Sequence, residues 1–311
     1  MFEAREAAKV DEIESINSSG LSIELVCDYA CHIGENRLWH PLEHQLYWTD
    51  IPTGRMFRYQ PGTGSHTQIY SGRLVGGFTL EAGGGLLLFM DRGTISRWNG
   101  ETVAVCLADI PAERTSRFND VIADPRGLVF CGTMATSNAG GRLYRLDTDG
   151  LLHLLLEDVG CSNGMGFSCD LSTFYYTDSF AQEIYCFDYD VIDGSIANRR
   201  TFARFDETGG VPDGLCVDDK NRVWSALWGG SAIVRLTEKG ALSDRISLQV
   251  PKVSSLTVGG DAFGDLYITT AGGNQRESDG PLAGALFRIR TWLRGRPGSF
   301  SQLRSDKISL A

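Results

Sequence analysis

The chain has 311 residues, 42% of them hydrophobic, and a net charge of -10 with a pI near 5.0, enough apolar material for one large core or two smaller ones, so repetition rather than length has to settle the domain count. The acidic balance, without a basic stripe interleaved with aromatics, excludes a nucleic-acid partner. Apolar runs such as Leu151 to Leu156 around His153 are far too short to span a bilayer, which excludes a membrane-embedded helix.

The N-terminus, Met-Phe-Glu-Ala-Arg-Glu, carries acids where a signal peptide needs bases and an apolar stretch, so a cytoplasmic location is expected. Residues 1–20, ending Asn-Ser-Ser-Gly, read as a loose lead-in to a single domain over residues 21–311, whose first strand spans Leu21 to Cys27. Among the eight cysteines, Cys27 and Cys31 with His40 and His44 form a Cys-x3-Cys, His-x3-His set. Its connection is short for a zinc finger and no helix pattern follows, so buried reduced thiols and turn histidines are expected instead.

From Glu35 onward a unit repeats: a head residue, an apolar strand, a turn, a strand like Gln45-Leu-Tyr-Trp-Thr-Asp50 and a last strand like Arg55-Met-Phe-Arg-Tyr59. The second unit carries Gly85-Leu-Leu-Leu-Phe-Met-Asp91 and Thr94-Ile-Ser-Arg-Trp98, and the third Gly127-Leu-Val-Phe-Cys131 and Gly141-Arg-Leu-Tyr-Arg-Leu-Asp147. The fourth has Thr173-Phe-Tyr-Tyr-Thr-Asp178, the fifth Arg222-Val-Trp-Ser-Ala226, and the sixth Asp265-Leu-Tyr-Ile-Thr-Thr270 with Ala285-Leu-Phe-Arg-Ile289. Heads at 35, 76, 119, 163, 213 and 255 lie roughly 40 to 50 residues apart, the length of one four-stranded blade. The expected fold is therefore an all-β, six-bladed β-propeller with a central site. The strand at Leu21 to Cys27 and the tail at Phe300 to Leu303 are expected to share a blade and close the ring.

A radial array brings equivalent residues to one height, so the heads Glu35, Gly76, Asn119, Asn163, Asp213 and Ser255 should converge on the axis. Two carboxylates and two amides among them suit a hard or borderline divalent cation such as Ca²⁺, Mg²⁺ or Mn²⁺. Arg117 and Asp120, flanking Asn119, are further polar candidates to hold a ligand. The contexts Ser-Asn-Gly and Pro-Asp-Gly read as tight bends that project the polar side chain. Asp50, Asp91, Asp147, Asp178 and Asp188 fall at strand ends and read as turn caps. No Gly-x-Ser-x-Gly elbow or phosphate-cradling loop is present, which argues against serine-hydrolase and nucleotide chemistry.

The phrases Gly34-Glu35 with Leu38-Trp39, Asp50-Ile-Pro, Arg117-Phe-Asn-Asp120, Gly132-Thr-Met134, Ser162-Asn-Gly164, Phe174-Tyr-Tyr-Thr-Asp178, Pro212-Asp-Gly214 and Pro281-Leu-Ala-Gly-Ala-Leu-Phe287 together resemble the senescence marker protein (regucalcin)/gluconolactonase family. The run Trp224-Ser-Ala-Leu-Trp-Gly-Gly230 is similar to the bacterial aldonolactonase branch. The resemblance implies a metal-dependent lactonase that opens a sugar lactone of gluconolactone or pentonolactone type, with no obligate protein partner. It implies one divalent ion, Ca²⁺, Zn²⁺, Mn²⁺ or Fe²⁺, held by Glu35, Asn163 and Asp213. Asp213 would double as general base, and Arg117 and Asn119 would hold the sugar. Two alternatives stay open: a promiscuous esterase or phosphotriesterase, and a non-catalytic Ca²⁺-binding propeller. Two departures from the family pattern bear on the substrate rim. The usual Gly-Glu-Gly/Ser-Pro opening is Gly-Glu-Asn36-Arg37 here, and the segment after Met134, where animal members bring an acidic residue, reads Ala-Thr-Ser-Asn.

Overall fold

The computed structural model describes residues 15–16, 21–206, 209–291 and 294–311. Apart from Ser15–Ile16, which pairs with Ser22–Asp28, the expected lead-in lies outside the described residues. Each repeat folds into an antiparallel sheet, and six sheets stand around one axis. The innermost strands are Gly34–His40, Val75–Leu80, Phe118–Ala123, Ser162–Phe167, Val211–Val217 and Val253–Gly259. Each touches the next and the last touches the first, so the ring is closed.

Burial falls off along the radius as the residues dictate. Val75–Leu80 and Leu86–Met90 are buried throughout, Arg55–Gln60 mixes buried and half-buried positions, and the outer strand Ser65–Ser71 is mostly exposed. Neighbouring sheets meet face to face through apolar clusters. Phe130 and Leu143 of the third blade pack on Met165, Phe174 and Tyr176 of the fourth, and Trp39, Leu46 and Trp48 of the first pack on Tyr267 and Leu286 of the sixth. Fully burying a side chain of this size stabilises by about 1.5–3 kcal/mol, so the blades hold one another and no blade is stable alone.

Ring closure is half as expected. Ser22–Asp28 is the outer strand of the sixth blade, paired antiparallel with Ala285–Arg290. Phe300 to Leu303 pairs with no strand of that blade among the described residues, because the N-terminal strand already fills its outer position. After Gly295, whose N–H bonds Phe263 O, the chain crosses the end of the channel to Ser301, whose N–H bonds Leu80 O. It then runs under the second and third blades, where Gln302 N–H meets Gly127 O and Ser309–Leu310 pairs parallel to Leu151–Val159.

Candidate metal centre on the channel axis

All six innermost strands start at the same face of the ring, and all six break their pairing register at or beside the head. Gly76, Asn119, Asn163 and Asp213 fall inside the break, while Glu35 and Ser255 border it and keep their partners Thr49 and Thr269. The breaks fall between Glu35 and Leu38, Val75 and Gly77, Phe118 and Val121, Ser162 and Met165, Pro212 and Leu215, and Val253 and Ser255. A β-bulge leaves an unpaired residue and re-aims its side chain. The bends read from Asn-Gly and Asp-Gly are thus bulges inside strands rather than turns. Their glycines serve close approach: a Cβ on Gly164 would stand 2.3 Å from Leu215 N, and one on Gly214 would stand 1.8 Å from Ser255 Oγ.

Glu35, Asn119, Asp120, Asn163 and Asp213 are all buried, and they interact. The Glu35 carboxyl is pushed up to about 8, first by burial and then by the charge of Asp120, while Arg37 and the Asn36 N–H pull the other way. Asp213 is raised well above the usual carboxylate range by burial, then by Glu35 and Asp120, with Arg37 and the Asn163 amide opposing. Around the same point, burial lowers the Arg117 guanidinium against the pull of Cys161, Glu35 and Asp213. Burial and the Asp213 charge lift the Cys161 thiol to about 12, so it stays neutral.

Hydrogen bonds fix the amides. Ser179 Oγ donates to Pro212 O at 2.7 Å and so accepts from Asn163 Nδ2 at 3.1 Å, which turns Asn163 Oδ1 away from any partner. Asp213 Oδ1 is likewise buried without a hydrogen bond, and the Ser255 hydroxyl faces the Glu35 carboxyl. Asn119 is fully engaged: its Nδ2 donates to Ser162 O at 2.9 Å, and its Oδ1 accepts from Arg117 Nη1 at 2.6 Å. Arg117 therefore sits half-buried with one edge held by Asn119 and by Phe118 O.

Buried oxygens left without donors between mutually repelling carboxyls suit a hard divalent cation. Among the described residues no three His, Cys, Asp or Glu side chains stand close enough to hold a metal by themselves, so a cation here would need an amide oxygen such as Asn163 Oδ1 to complete its set. Cys27 and Cys31 are buried free thiols in an aromatic cluster, while His44 bonds Asp261 and His40 pairs with Glu43, so they build no second centre. The strand-end acids act as caps and ion pairs: Asp50 accepts from Ile33 N–H, and Asp178 from Gly160 and Cys161 N–H.

Sequence reasoning passed over Ser179, and it treated Asn36 and Arg37 as changes at the substrate rim. Both lie further along the channel. Asn36 Oδ1 accepts from Phe78 N–H at 2.6 Å and its Nδ2 donates to Asp120 at 3.2 Å, while Arg37 Nη2 donates to Leu215 O at 2.8 Å.

A six-bladed propeller with carboxylates, amides and an arginine gathered at one end of its axis is the architecture of a small-molecule site. The chain belongs to the SMP-30/Gluconolactonase/LRE-like family, whose model matches residues 33–272. It is 42% identical over 295 residues to the pentonolactonase XacC of Haloferax volcanii, covering 92% of this chain and 99% of that protein. Regucalcin of Sus scrofa is 31% identical over 283 residues, with 87% of this chain and 95% of that protein aligned. The solved luciferin-regenerating enzyme superposes with a TM-score of 0.84 at 27% identity, covering 91% of this chain and 100% of that one.

Proposed function

We propose that the chain is a divalent-metal-dependent lactonase that hydrolyses an aldonolactone, of gluconolactone or pentonolactone type, to the aldonic acid. One observation carries the reading: the orphaned oxygens of Asn163 and Asp213 beside Glu35, in a chain that aligns nearly end to end with a pentonolactonase. Glu35, Asn163 and Asp213 hold the ion. When bound, the ion polarises a carbonyl and acidifies a water. Asp213 takes a proton from the water as its oxygen adds to the lactone carbonyl carbon, and returns that proton to the ring oxygen as the ring C–O bond breaks, so that the ring oxygen leaves as a sugar hydroxyl. Arg117, braced by Asn119, orients the sugar hydroxyls. The eight cysteines, all free thiols, fit a reducing compartment, and the cytoplasm is the location we propose.

The test is a panel of sugar lactones, simple esters and phosphotriesters with a pH-indicator readout, run on metal-stripped and reloaded protein. Lactone turnover restored by metal is expected. Turnover of esters or phosphotriesters alone, or metal binding without turnover, would each replace this reading with a rival.

Two further outcomes follow from the same contacts. Ser179→Ala frees the Asn163 amide to rotate, so metal affinity should fall about 10-fold or more, the usual cost of losing a group that orients a ligand; calorimetry reads it, and unchanged affinity would remove Ser179 from that role. The second concerns pH. With Glu35 at about 8 in the folded metal-free chain and near 4.3 unfolded, the folded state binds more protons between those values. Stability of the metal-free protein therefore falls as pH rises from about 4.3 to 8. A bound cation requires both carboxylates ionised and should flatten or reverse that slope. Thermal melts from pH 5 to 9, with chelator and with Ca²⁺ or Mn²⁺, check it; parallel slopes would contradict it.

A further inference from the structure

The channel continues beyond the metal face into a second chamber. Its walls are the far ends of the same innermost strands, with Leu38, Val121, Met165, Phe167, Leu215 and Val217 among them, and its floor is the tail segment at Arg296, Pro297 and Gly298. The volume is about 170 Å³, against about 150 Å³ for an apolar cavity known to hold benzene. Pro125, Arg296, Pro297 and Gly298 are exposed, so the chamber communicates with solvent beside the tail.

The lining carries two guanidiniums, Arg37 and Arg296, against one carboxylate, Asp120. Arg37 also faces Glu35 and Asp213, whose proton affinity it lowers, but a cation on those two takes up their charge and leaves that of Arg37 to be met. Arg37 lines it and is 6% exposed, and of its five guanidinium donors only those on Nη2 have a partner, Leu215 O, among the described residues. Arg37 Nε is buried with no hydrogen bond, and no ion pair reaches this side chain among the described residues. Arg296 stands at the opening, with one donor on Ser168 O at 3.2 Å. The single carboxylate in the lining, Asp120, already accepts from Asn36 Nδ2 and Val121 N–H. A buried guanidinium costs free energy until its donors and its charge are met.

We infer that this chamber is a binding site for a small organic carboxylate with an apolar body, its anionic end on Arg37 and its body against Val121, Leu215 and Val217. The site is separate from the metal centre, on the opposite side of Asn36 and Asp120. An anion supplies the acceptors that Arg37 lacks, and the apolar walls reject strongly hydrated ions such as sulfate. Aldonic acids, covered in hydroxyls, fit these walls poorly, so the reaction product is not the ligand proposed.

Benzoate serves as the probe, with benzyl alcohol as its neutral counterpart, by calorimetry on metal-loaded full-length protein. Benzoate should bind with Kd on the order of 1 mM, and benzyl alcohol about 10-fold or more weakly, as the loss of a charge-assisted bond requires. Arg37→Met should weaken benzoate to the level of benzyl alcohol, and Val217→Trp, which fills the chamber, should weaken both. Because either variant could disturb the channel, wild-type protein gives an independent reading: NOEs from the benzoate ring to the methyls of Val121, Leu215 and Val217. Equal binding of benzoate and benzyl alcohol, no heat up to 20-fold that concentration, or binding lost on chelating the metal would each overturn the proposal. The last outcome would place benzoate at the metal centre, and the second would leave a chamber for water only.

Discussion

Asp213→Asn should lower kcat for lactone hydrolysis by about 10² or more with the metal still bound, the lower range for loss of general-base catalysis. The substitution keeps shape and one ligand oxygen, and removes a charge and a proton acceptor. Asp213 has the two properties the role demands: a buried oxygen with no hydrogen bond and a proton affinity raised by burial and by Glu35 and Asp120. A carboxylate bound to a cation is a weaker base than this, which is why the expected loss sits at the lower end. Metal content has to be measured for each preparation, since loss of the ion would imitate loss of the base. Should the metal-loaded variant keep near-full kcat, the base is another group, and Asp120 is then the one to change, being the third buried carboxylate of the cluster. Asn119→Ala separates positioning from charge. Because Asn119 Oδ1 holds Arg117, the variant should lose kcat/KM chiefly through KM, with metal affinity intact.

The ring of blades was legible because a propeller states itself six times. One strand phrase, repeated with Tyr, Phe and Trp at matched places, gave both the fold class and the heads. The same redundancy explains why the six heads, each some 40 to 50 residues from the next, could be grouped from sequence, since equivalent positions in a closed array share a radius. Singling out Glu35, Asn163 and Asp213 among them as ligands took the family resemblance. What failed to show was anything set by the contact between two repeats. Gly164 and Gly214 look like turn residues in one dimension, but they are small because the next blade's backbone passes where a Cβ would stand. Ser179 follows a capping Asp and gave no signal of its own, since its role exists only through Asn163 and Pro212 O. Arg37 looked like a departure at the rim because the strand direction, which carries successive residues down the channel, cannot be read from the motif. The tail, with its Pro297 and Gly298, offered no period at all, and its path is decided by the blade position that Ser22–Asp28 had already filled.

Glu35→Gln should move function and stability in opposite directions. It removes one of the two carboxylates of the proposed metal set, and affinity for a hard cation depends steeply on how many charged oxygens surround it. A fall of about 10² or more in metal affinity is expected, and lactone turnover should fall with it at limiting metal. Without metal, the same carboxylate is a liability. Burial and the charge of Asp120 hold it protonated up to about pH 8, so the folded chain loses stability as pH rises from about 4.3 to 8 and carries the full cost of the buried charge above that. Glutamine keeps the shape and carries no charge, so the chelated variant should melt higher than the chelated parent at pH 9. At pH 5, where the parent carboxyl is protonated, the two should melt within a degree or two. Adding Ca²⁺ or Mn²⁺ should then raise the melting temperature of the parent far more than that of the variant, because only the parent gains a tightly bound ion. A chelated variant no more stable than the parent at pH 9 would mean that Glu35 is not strained in the empty site. Undiminished metal affinity would mean that it is not a ligand, and the ion would have to be sought among Asp120, Asp213 and the amides.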